Sequence, residues 1–369
     1  MKKVVYLMEY PIDLPGGAQL STISICNALI EHPECGYEPV VICPELLNKE
    51  SHYDFTVRTY PMGESRIKNL FIRIKAFLRL IREEKPDLIH IEMSESLITY
   101  GFIRKFFKNI PYLYTDRGMY FGYRTRSKIF MMPVLKDASM LVTTTEKNRG
   151  LWESNSTIRP LNVIYNTISP VFSEYDESRK KRDGMFTIGF AGRICIEKDW
   201  PFVPVFVKAL HDAGLKFRVH LVLSLFEKGD AEQAAELRQK IGGIIGEENL
   251  IYEEDLSQEE MSRYYYGLDL FLMTSQFESF GKAAVEAMSR KCAVLSTEVG
   301  GLPEVIGDPQ YLYTKDHPEI AVERVKSMMD DPEVLRRAQE YFYMRYRDNF
   351  TESAYLEKHL RVYREILGV

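Results

Sequence analysis

Short apolar runs alternate with segments of helical periodicity along most of the chain. The first run, residues 4–8, precedes a glycine-containing turn and an amphipathic stretch that extends to about Ile30. Residues 71–82 have apolar side chains at helical spacing, which predicts a helix. Further apolar runs predict strands at residues 39–43, 86–91, 112–115, 140–143, 186–191, 217–223, 270–273 and 293–297. This alternation predicts an α/β protein with parallel sheets covered by helices on both faces.

The length of 369 residues is too great for one ordinary hydrophobic core and predicts two domains. A polar stretch rich in charge, residues 174–183, is predicted as the interdomain linker. We therefore expect a first domain at residues 1–170 and a second at residues 171–350. Residues 351–369 are expected to form a helix that packs back on the first domain.

Composition indicates an ordinary globular protein, with 45% hydrophobic and 27% charged residues. The five cysteines are scattered without zinc-type spacing, which predicts reduced thiols in a cytoplasmic protein. The N-terminal apolar run is too short for a signal peptide, and no run approaches the roughly 20 apolar residues of a membrane span. The sequence thus predicts a cytoplasmic protein, with peripheral attachment to the inner face of the plasma membrane as its membrane-associated alternative.

Two carboxylates, Glu278 and Glu286, stand eight residues apart after the predicted strand at residues 270–273. Ser279 is predicted as an N-cap, so that Phe280 and Gly281 open the next helix. The free N–H groups of a first helical turn bind phosphate, and Gly281 permits close approach to the backbone. One carboxylate on either side of a bound diphosphate would suit a nucleotide sugar. The alternative is an ordinary strand–helix–strand unit with a solvated glutamate.

Cations follow the predicted strand at residues 186–191, where Gly192 and Arg193 precede Lys198. A guanidinium fork and a lysine point charge suit a diphosphate at the carboxyl end of a parallel sheet. The alternative is a loop with two surface cations. Gly16 and Gly17 follow the first predicted strand and form a third segment, although paired glycines alone mostly indicate a turn.

Together these segments resemble glycosyltransferase family 4, whose members use nucleotide sugars and have the GT-B fold. The stretch from Glu278 to Glu286 resembles the E-x7-E region of the family, and the stretch from Gly192 to Lys198 resembles its G-R-x-x-x-E-K region. The family usually has glycine where this chain has Asp199. The resemblance implies two Rossmann-like domains with parallel sheets that face a central cleft.

The resemblance also implies residue roles. Glu278 would bind hydroxyls of the transferred sugar, and Glu286 would bind the nucleoside ribose. The main chain near Tyr252 and Glu254 would hold the base. Arg193 and Lys198 would be catalytic, like Glu278, because they would hold the donor diphosphate and offset the charge that builds on it as the sugar leaves. The residues expected to line the donor site are Gly16, Gly17, Gly192, Ser279, Phe280 and Gly281.

Family members retain the anomeric configuration, and no D-x-D metal motif occurs in this chain. The resemblance therefore implies metal-independent transfer with no cofactor. Its small-molecule partner would be the nucleotide-sugar donor, for which a UDP-sugar is favoured. Which hexose is transferred does not follow from the sequence.

Arg117 stands where many family members have the histidine of a T-x-H-G segment. One interpretation is a surface arginine paired with Asp116. The other places Arg117 in the cleft as a catalytic residue that hydrogen-bonds the donor sugar or the acceptor.

Residues 64–128 are basic, with 14 lysine and arginine residues against 7 aspartate and glutamate residues, in a chain of net charge −5. Within them, Arg104, Lys105, Phe106 and Phe107 interleave cations with aromatic rings, as in a surface that binds anionic lipid or an anionic acceptor. The alternative is a helix with a core face and a solvated face. His90, at a strand end that resembles the family, is also assigned to the acceptor side.

The expected function is transfer of a sugar to a cell-surface polysaccharide, a glycolipid or a glycoprotein, through a glycan, lipid-linked or protein acceptor. Nucleic acid is not expected as a partner, because the chain is acidic and contains no nucleic-acid-binding motif. The rival functions are a non-catalytic GT-B protein that binds an acceptor or a partner, and an epimerase or phosphorylase of the same fold.

Overall fold

The computed structural model describes residues 1–180 and 184–369, which divide into two compact units. The first unit comprises Met1–Ile168 and Glu352–Val369, and the second comprises Ser169–Thr351. Residues 181–183 of the predicted linker lie outside the described residues. Before them, Lys180 donates from Nζ to the carbonyl oxygens of Lys291 (3.2 Å) and Arg290 (3.3 Å), so this part of the predicted linker contacts the second unit.

The first unit is built on a seven-stranded parallel sheet of order β3-β2-β1-β4-β5-β6-β7. Its strands are β1 (Lys2–Leu7), β2 (Tyr37–Pro44), β3 (Thr56–Tyr60), β4 (Leu88–Ile91), β5 (Tyr112–Asp116), β6 (Met140–Thr143) and β7 (Leu161–Val163). Its helices, numbered along the whole chain, are α1 (Gly17–Glu31), α2 (Arg66–Glu84), α3 (Ser94–Ile103), α4 (Thr125–Leu135), α5 (Glu146–Asn155) and α13 (Glu352–Leu367).

Alternate residues of β1 enter two different hydrophobic clusters. Val5 and Leu7 pack with residues of α2, α3 and α4, whereas Val4 and Tyr6 pack with residues of α1 and α13. Because successive strand side chains point to opposite faces, each face of the sheet has its own helical cover. Because both faces of the strand are buried, successive residues are apolar, which explains the continuous apolar runs in the sequence.

The second unit has a six-stranded parallel sheet of order β10-β9-β8-β11-β12-β13. Its strands are β8 (Thr187–Arg193), β9 (Arg218–Ser224), β10 (Leu250–Glu254), β11 (Leu270–Met273), β12 (Ala293–Thr297) and β13 (Leu312–Tyr313). Its helices are α6 (Phe202–Asp212), α7 (Asp230–Ile245), α8 (Gln258–Tyr266), α9 (Lys282–Ser289), α10 (Leu302–Ile306), α11 (Pro318–Asp330) and α12 (Pro332–Asn349). The strand order reverses between β8 and β11, and open parallel sheets bind ligands at such a switch point.

Helix α2 and four strands differ from the sequence prediction. Helix α2 begins at Arg66 rather than near residue 71, because Ser65 caps it by accepting a hydrogen bond from the Lys68 N–H at 3.3 Å. Strands β3, β7, β10 and β13 were not predicted. Strand β3 lies at the sheet edge and is mostly exposed, so its residues do not form an apolar run.

Candidate functional site

Lys198 and Glu278 meet beyond the carboxyl ends of β8 and β11, the two strands at the switch point of the second sheet. Lys198 Nζ lies 2.7 Å from Glu278 Oε2, and both side chains are about one-fifth exposed, at 21% and 19%. Main-chain contacts hold the two loops together: the Gln276 N–H donates to the Glu197 carbonyl at 2.8 Å, and Thr274 Oγ1 donates to the Lys198 carbonyl at 2.9 Å. The site therefore combines a cation and a carboxylate that solvent can still reach.

The backbone on either side of Lys198 has two unusual conformations. Gly192 has a φ of 154°, and a Cβ added there would lie 3.3 Å from Lys198 Cε. Asp199 has a φ of 50°, the left-handed conformation that glycine adopts most readily, and its carboxylate pairs with Lys315. Asp199 thus keeps the turn in which the family usually has glycine. Arg193 is exposed, and its carbonyl oxygen accepts from Trp200 Nε1 at 2.8 Å.

The helix that follows Glu278 starts later than the sequence predicted. Helix α9 begins at Lys282 with Gly281 as its N-cap, so the prediction that Ser279 caps the helix is wrong. Gly281 has a φ of 103°, and a Cβ there would lie 2.6 Å from Leu302 Cδ2. Phe280 is buried against Phe350, with ring centroids 5.7 Å apart. The helix N-terminus that could receive phosphate therefore opens at Lys282.

The Gly300-Gly301 turn fixes the main chain of Glu278. The Gly301 N–H donates to the Glu278 carbonyl at 2.8 Å. A Cβ added at Gly300, whose φ is 54°, would lie 1.8 Å from the same carbonyl oxygen. No side chain fits at that distance, so Gly300 allows the close approach that places Glu278 beside Lys198.

Glu286 projects from α9 and accepts a hydrogen bond from the Tyr265 hydroxyl at 3.0 Å. Burial raises the pKa of Glu286 to about 7, although the hydrogen bond from Tyr265 and the charges of Lys282 and Lys198 oppose that shift. A carboxyl with this pKa can accept or donate a hydrogen bond near neutral pH. Sequence analysis missed Tyr265, whose only signal was a tyrosine run at the end of an amphipathic helix.

Tyr252 and Glu254 lie on β10, the edge strand of the second sheet, and the Tyr252 hydroxyl donates to the Glu254 carboxylate. β10 is separated from β8 by β9. Their assignment to the nucleoside base stays a prediction.

In the first unit, the predicted glycine turn leads into α1. Gly16 is the N-cap with extended backbone (φ −179°), and Gly17 is the first helical residue. A Cβ added at Gly16 would lie 2.5 Å from Gln19 Oε1. The role of both glycines in donor binding stays a prediction.

Arg117 pairs with Glu92, a residue that neither interpretation named. Its guanidinium makes a bidentate pair with buried Glu92, with Nε–Oε2 at 2.8 Å and Nη2–Oε1 at 3.0 Å. Nη2 also donates to the Tyr355 hydroxyl at 3.1 Å, and Nη1 donates to Asn166 Oδ1. Asp116 is not its partner. The fork that would have bound a sugar or acceptor is occupied by Glu92, and the side chain is only 12% exposed.

His90 is likewise buried, which contradicts its assignment to an acceptor surface. Its ring nitrogens lie 2.8 Å from the Tyr363 hydroxyl and 2.7 Å from Thr115 Oγ1. Burial, with a smaller contribution from Arg117, holds the pKa of His90 well below its usual range. His90 therefore ties β4 to α13 and β5 as a neutral ring.

The basic aromatic segment does not form one exposed patch. Phe107 is buried and stacks near Tyr100, with ring centroids 6.5 Å apart, so its assignment to a surface is wrong. Arg104 pairs with Asp137 at 2.9 Å. Phe106 is 65% exposed beneath Arg82, and Lys105 is exposed beside it.

Within the described ranges, no group of three or more His, Cys, Asp and Glu side chains is placed to hold a metal ion. Metal-independent transfer stays a prediction. No helix among the described residues has the length and apolar content needed to cross a bilayer.

Comparison with known proteins identifies the family. Residues 171–345 match the profile of the family described as glycosyl transferases group 1, and residues 15–172 match that of glycosyltransferase family 4. The chain belongs to these glycosyltransferases. The resemblance found from the sequence motifs is thereby confirmed.

Relatives of this glycosyltransferase share modest sequence identity. The 2-deoxystreptamine glucosyltransferase of Streptomyces kanamyceticus is 29% identical over 211 residues, which are 54% of this chain and 53% of that protein. An uncharacterized 41.2 kDa protein of the cps region of Klebsiella pneumoniae is 24% identical over 77% of this chain and 80% of its own. The match thus spans about half the length of the first relative.

Solved structures confirm the GT-B fold of this glycosyltransferase. Sucrose-phosphate synthase from Thermosynechococcus elongatus superposes with a TM-score of 0.84 at 14% identity, covering 100% of both chains. Anabaena HepE in complex with UDP-glucose superposes with a TM-score of 0.78 at 17% identity, also over 100% of both chains.

Proposed function

We propose that this protein transfers a sugar from a nucleotide-diphosphate sugar to a glycan, lipid-linked or protein acceptor, with retention of anomeric configuration. The observation that carries the proposal is the pairing of Lys198 with Glu278 at the switch point of the second sheet, beside the N-terminus of α9. Support comes from HepE, a solved structure of similar fold that is recorded in complex with UDP-glucose. A UDP-sugar is therefore the donor to test first.

Each site residue has a distinct role in the proposed reaction. Lys198 and Arg193 offset the negative charge that grows on the diphosphate as its bond to the sugar breaks. Lys198 has three N–H donors and uses one with Glu278, so others are available to phosphate oxygens. Glu278 orients the sugar through its hydroxyls, and Glu286 receives the ribose hydroxyls.

The proposed transfer requires no protein general base. The acceptor oxygen bonds to the anomeric carbon on the face from which the phosphate oxygen departs, and that phosphate oxygen takes the acceptor proton. Cationic side chains and helix N–H groups supply the positive charge, so transfer should proceed without a divalent metal ion.

We further propose that the exposed face of α2 and the neighbouring end of α3 bind anionic lipid. Four large apolar side chains are more than half exposed there: Ile67 and Phe71 on α2, Phe102 on α3, and Phe106 just after it. Arg82 lies 5.6 Å from the Phe106 ring centroid and connects the two helices. Apolar side chains among cations are typical of surfaces that bind anionic membranes.

The enzymatic proposal is tested by incubating the protein with a panel of nucleotide sugars and analysing the products by NMR, with and without excess chelator. We expect transfer or slow hydrolysis with retained anomeric configuration, undiminished by the chelator. Nucleotide binding without turnover would indicate the non-catalytic alternative. An isomerised sugar, or cleavage that depends on phosphate, would indicate the epimerase or the phosphorylase.

The lipid proposal is tested by sedimentation with anionic and neutral vesicles. Phe106→Ser should weaken binding to anionic vesicles, and high salt should release the wild type because it screens the cations. Val205→Ser, at an equally exposed apolar residue of the second unit, is the control. Equal binding to both vesicle types, or none to either, would contradict the lipid surface.

A further inference from the structure

The carboxylate of Glu286 is held by a tyrosine of the preceding helix. Glu286 lies on α9, and its side chain remains partly exposed, so a ligand can reach it. Tyr265 lies near the end of α8, and its hydroxyl donates to Glu286 Oε2 at 3.0 Å. A carboxylate has two oxygens with several acceptor positions, so this hydrogen bond leaves Glu286 able to accept from a ligand as well.

The ring of Tyr265 is fixed by its neighbours. The residue is fully buried, and its ring lies edge-on to Phe172 and to Phe271, with ring centroids 6.1 Å and 5.4 Å apart. Cys292 Sγ donates to the Tyr265 carbonyl oxygen at 2.9 Å, which holds the main chain there. Because interiors are close-packed, the ring cannot turn without displacing these neighbours. The hydroxyl therefore keeps a fixed direction toward Glu286.

Phe172, which packs on Tyr265, is itself held by Arg290, the fully buried C-cap of α9. Arg290 Nη1 donates to the carbonyl oxygens of Phe172 (3.1 Å) and Glu174 (2.8 Å), and its Nε donates to Ser262 Oγ on α8 at 3.0 Å. Its guanidinium carbon lies 5.0 Å from the Phe172 ring centroid. The first residues of the second unit are thus anchored to α8 and α9, where they support Tyr265.

The hydrogen bond from Tyr265 also affects the charge of Glu286. Burial raises the pKa of Glu286, whereas the Tyr265 hydroxyl lowers it, as do the charges of Lys282 and Lys198. Without that hydroxyl, a larger share of Glu286 would be protonated near neutral pH. Hydrogen bonds to an ionised carboxylate are roughly twice as strong as those between neutral groups. Tyr265 therefore favours the form of Glu286 that binds hydroxyls more strongly.

We propose that Tyr265 is a positioning residue for the nucleoside: it directs the Glu286 carboxylate toward the ribose hydroxyls. The inference rests on the proposed function, in which Glu286 receives those hydroxyls. The carboxylate accepts from Tyr265 on one side and from the 2′- and 3′-hydroxyls of the ribose on the other. Loss of the tyrosine hydroxyl should therefore affect nucleotide binding only through the ribose hydroxyls.

The test is calorimetric titration of the whole chain with UDP, GDP and ADP and, for each one that the wild type binds, with its 2′,3′-dideoxy analogue, which lacks both ribose hydroxyls. The wild type should bind the ribonucleotide at least tenfold more tightly than the analogue. Tyr265→Phe removes only the hydroxyl and keeps the buried ring. It should weaken binding of the ribonucleotide about fivefold and leave binding of the analogue unchanged.

The pH dependence of this selectivity is a second readout. In the wild type, the ratio of the two affinities should rise with pH as Glu286 ionises. In Tyr265→Phe the rise should occur at higher pH, because the hydrogen bond that lowers the pKa of Glu286 is lost. Protonation of the diphosphate affects both ligands alike and cancels in the ratio.

Tyr264→Phe is the matched control. Tyr264 is a buried residue of the same helix, but its hydroxyl donates to the His220 carbonyl oxygen at 3.3 Å, so its loss should keep the wild-type ratio. The role of Tyr265 is wrong if Tyr265→Phe keeps that ratio, even with weaker binding of both ligands, or if its ratio rises over the same pH range as in the wild type. A wild type that binds no nucleotide, or binds ribonucleotide and analogue equally, would instead contradict the proposed donor site, so the two failures are distinguishable.

Discussion

Each sheet of this protein has an ion pair beyond the carboxyl ends of two neighbouring strands, but the two pairs are buried to different degrees. In the first unit, Glu92 is fully buried and Arg117 is 12% exposed, and Arg117 also contacts Asn166 and Tyr355. In the second unit, Lys198 and Glu278 form a single 2.7 Å contact and each remains about one-fifth exposed. A buried guanidinium held by several protein partners is costly to remove, because its carboxylate partner would be left buried without a cation. A cation with unused donors can bind a ligand.

The largest expected effect is on the stability of the first unit. Arg117→Ala should lower the free energy of unfolding by about 3–5 kcal/mol, because it leaves the Glu92 carboxylate buried without its cation. Denaturant titration measures the loss. Arg126→Ala, at an exposed arginine of the same unit, should change stability little. Normal stability of the Arg117 variant combined with abolished transfer would restore the catalytic role that sequence analysis assigned to it.

Lys198→Ala should lower the rate of transfer and leave the stability of the protein nearly unchanged. We expect kcat to fall about hundredfold or more, since the cation stabilises charge that develops in the transition state. The melting temperature should change little, because the lost ion pair is partly exposed. Lys208→Ala, which removes an exposed helical ion pair of the same unit, is the control for kcat and stability. Unaltered kcat in the Lys198 variant would remove it from the catalytic site.

A third prediction concerns the pH dependence that Glu286 confers. Its pKa is raised from 4.5 to about 7 in the folded protein, so the unfolded chain releases this proton at lower pH. The free energy of unfolding should therefore fall as pH rises from about 4.5 to about 7, by roughly 1–3 kcal/mol from this group. Glu286→Gln should remove that part of the slope.

Denaturant titration of both proteins across this pH range measures the difference. Part of the slope should remain in the variant, because burial also raises the pKa of Glu9 to about 7. Identical slopes for the two proteins would mean that Glu286 has an ordinary pKa.

Burial determines which strands and helix starts the sequence could predict. Apolar runs predicted the central strands of both sheets, because a strand buried on both faces requires continuous apolar residues. Strand β3 was not predicted from the sequence. It lies at the sheet edge, and only one of its five residues is buried. The start of α2 was placed too late, because three of the first four residues are polar and the apolar periodicity begins only after them.

Site residues were predictable where a local pattern carries them. Gly192 lies at the end of β8, and Lys198 and Glu278 lie in the loops directly after β8 and β11, so their positions followed from the strands. The partners of Arg117 did not follow, because Glu92, Asn166 and Tyr355 lie 25, 49 and 238 residues away along the chain. A bidentate pair formed over such distances depends on tertiary packing, which local sequence does not encode.

We propose above all that the second unit binds a nucleoside diphosphate beside Glu286. Calorimetric titration of UDP, with GDP and ADP for comparison, into the wild type and Glu286→Ala tests it most directly. We predict that the wild type binds at least one of the three, and that the variant binds it at least tenfold more weakly. That loss corresponds to roughly 1.5–3 kcal/mol for a hydrogen bond to a charged group. Glu259→Ala, at a solvent-facing residue of α8, should bind like the wild type. Equal affinity of Glu286→Ala and wild type, or no binding of any of the three nucleotides, would contradict the account.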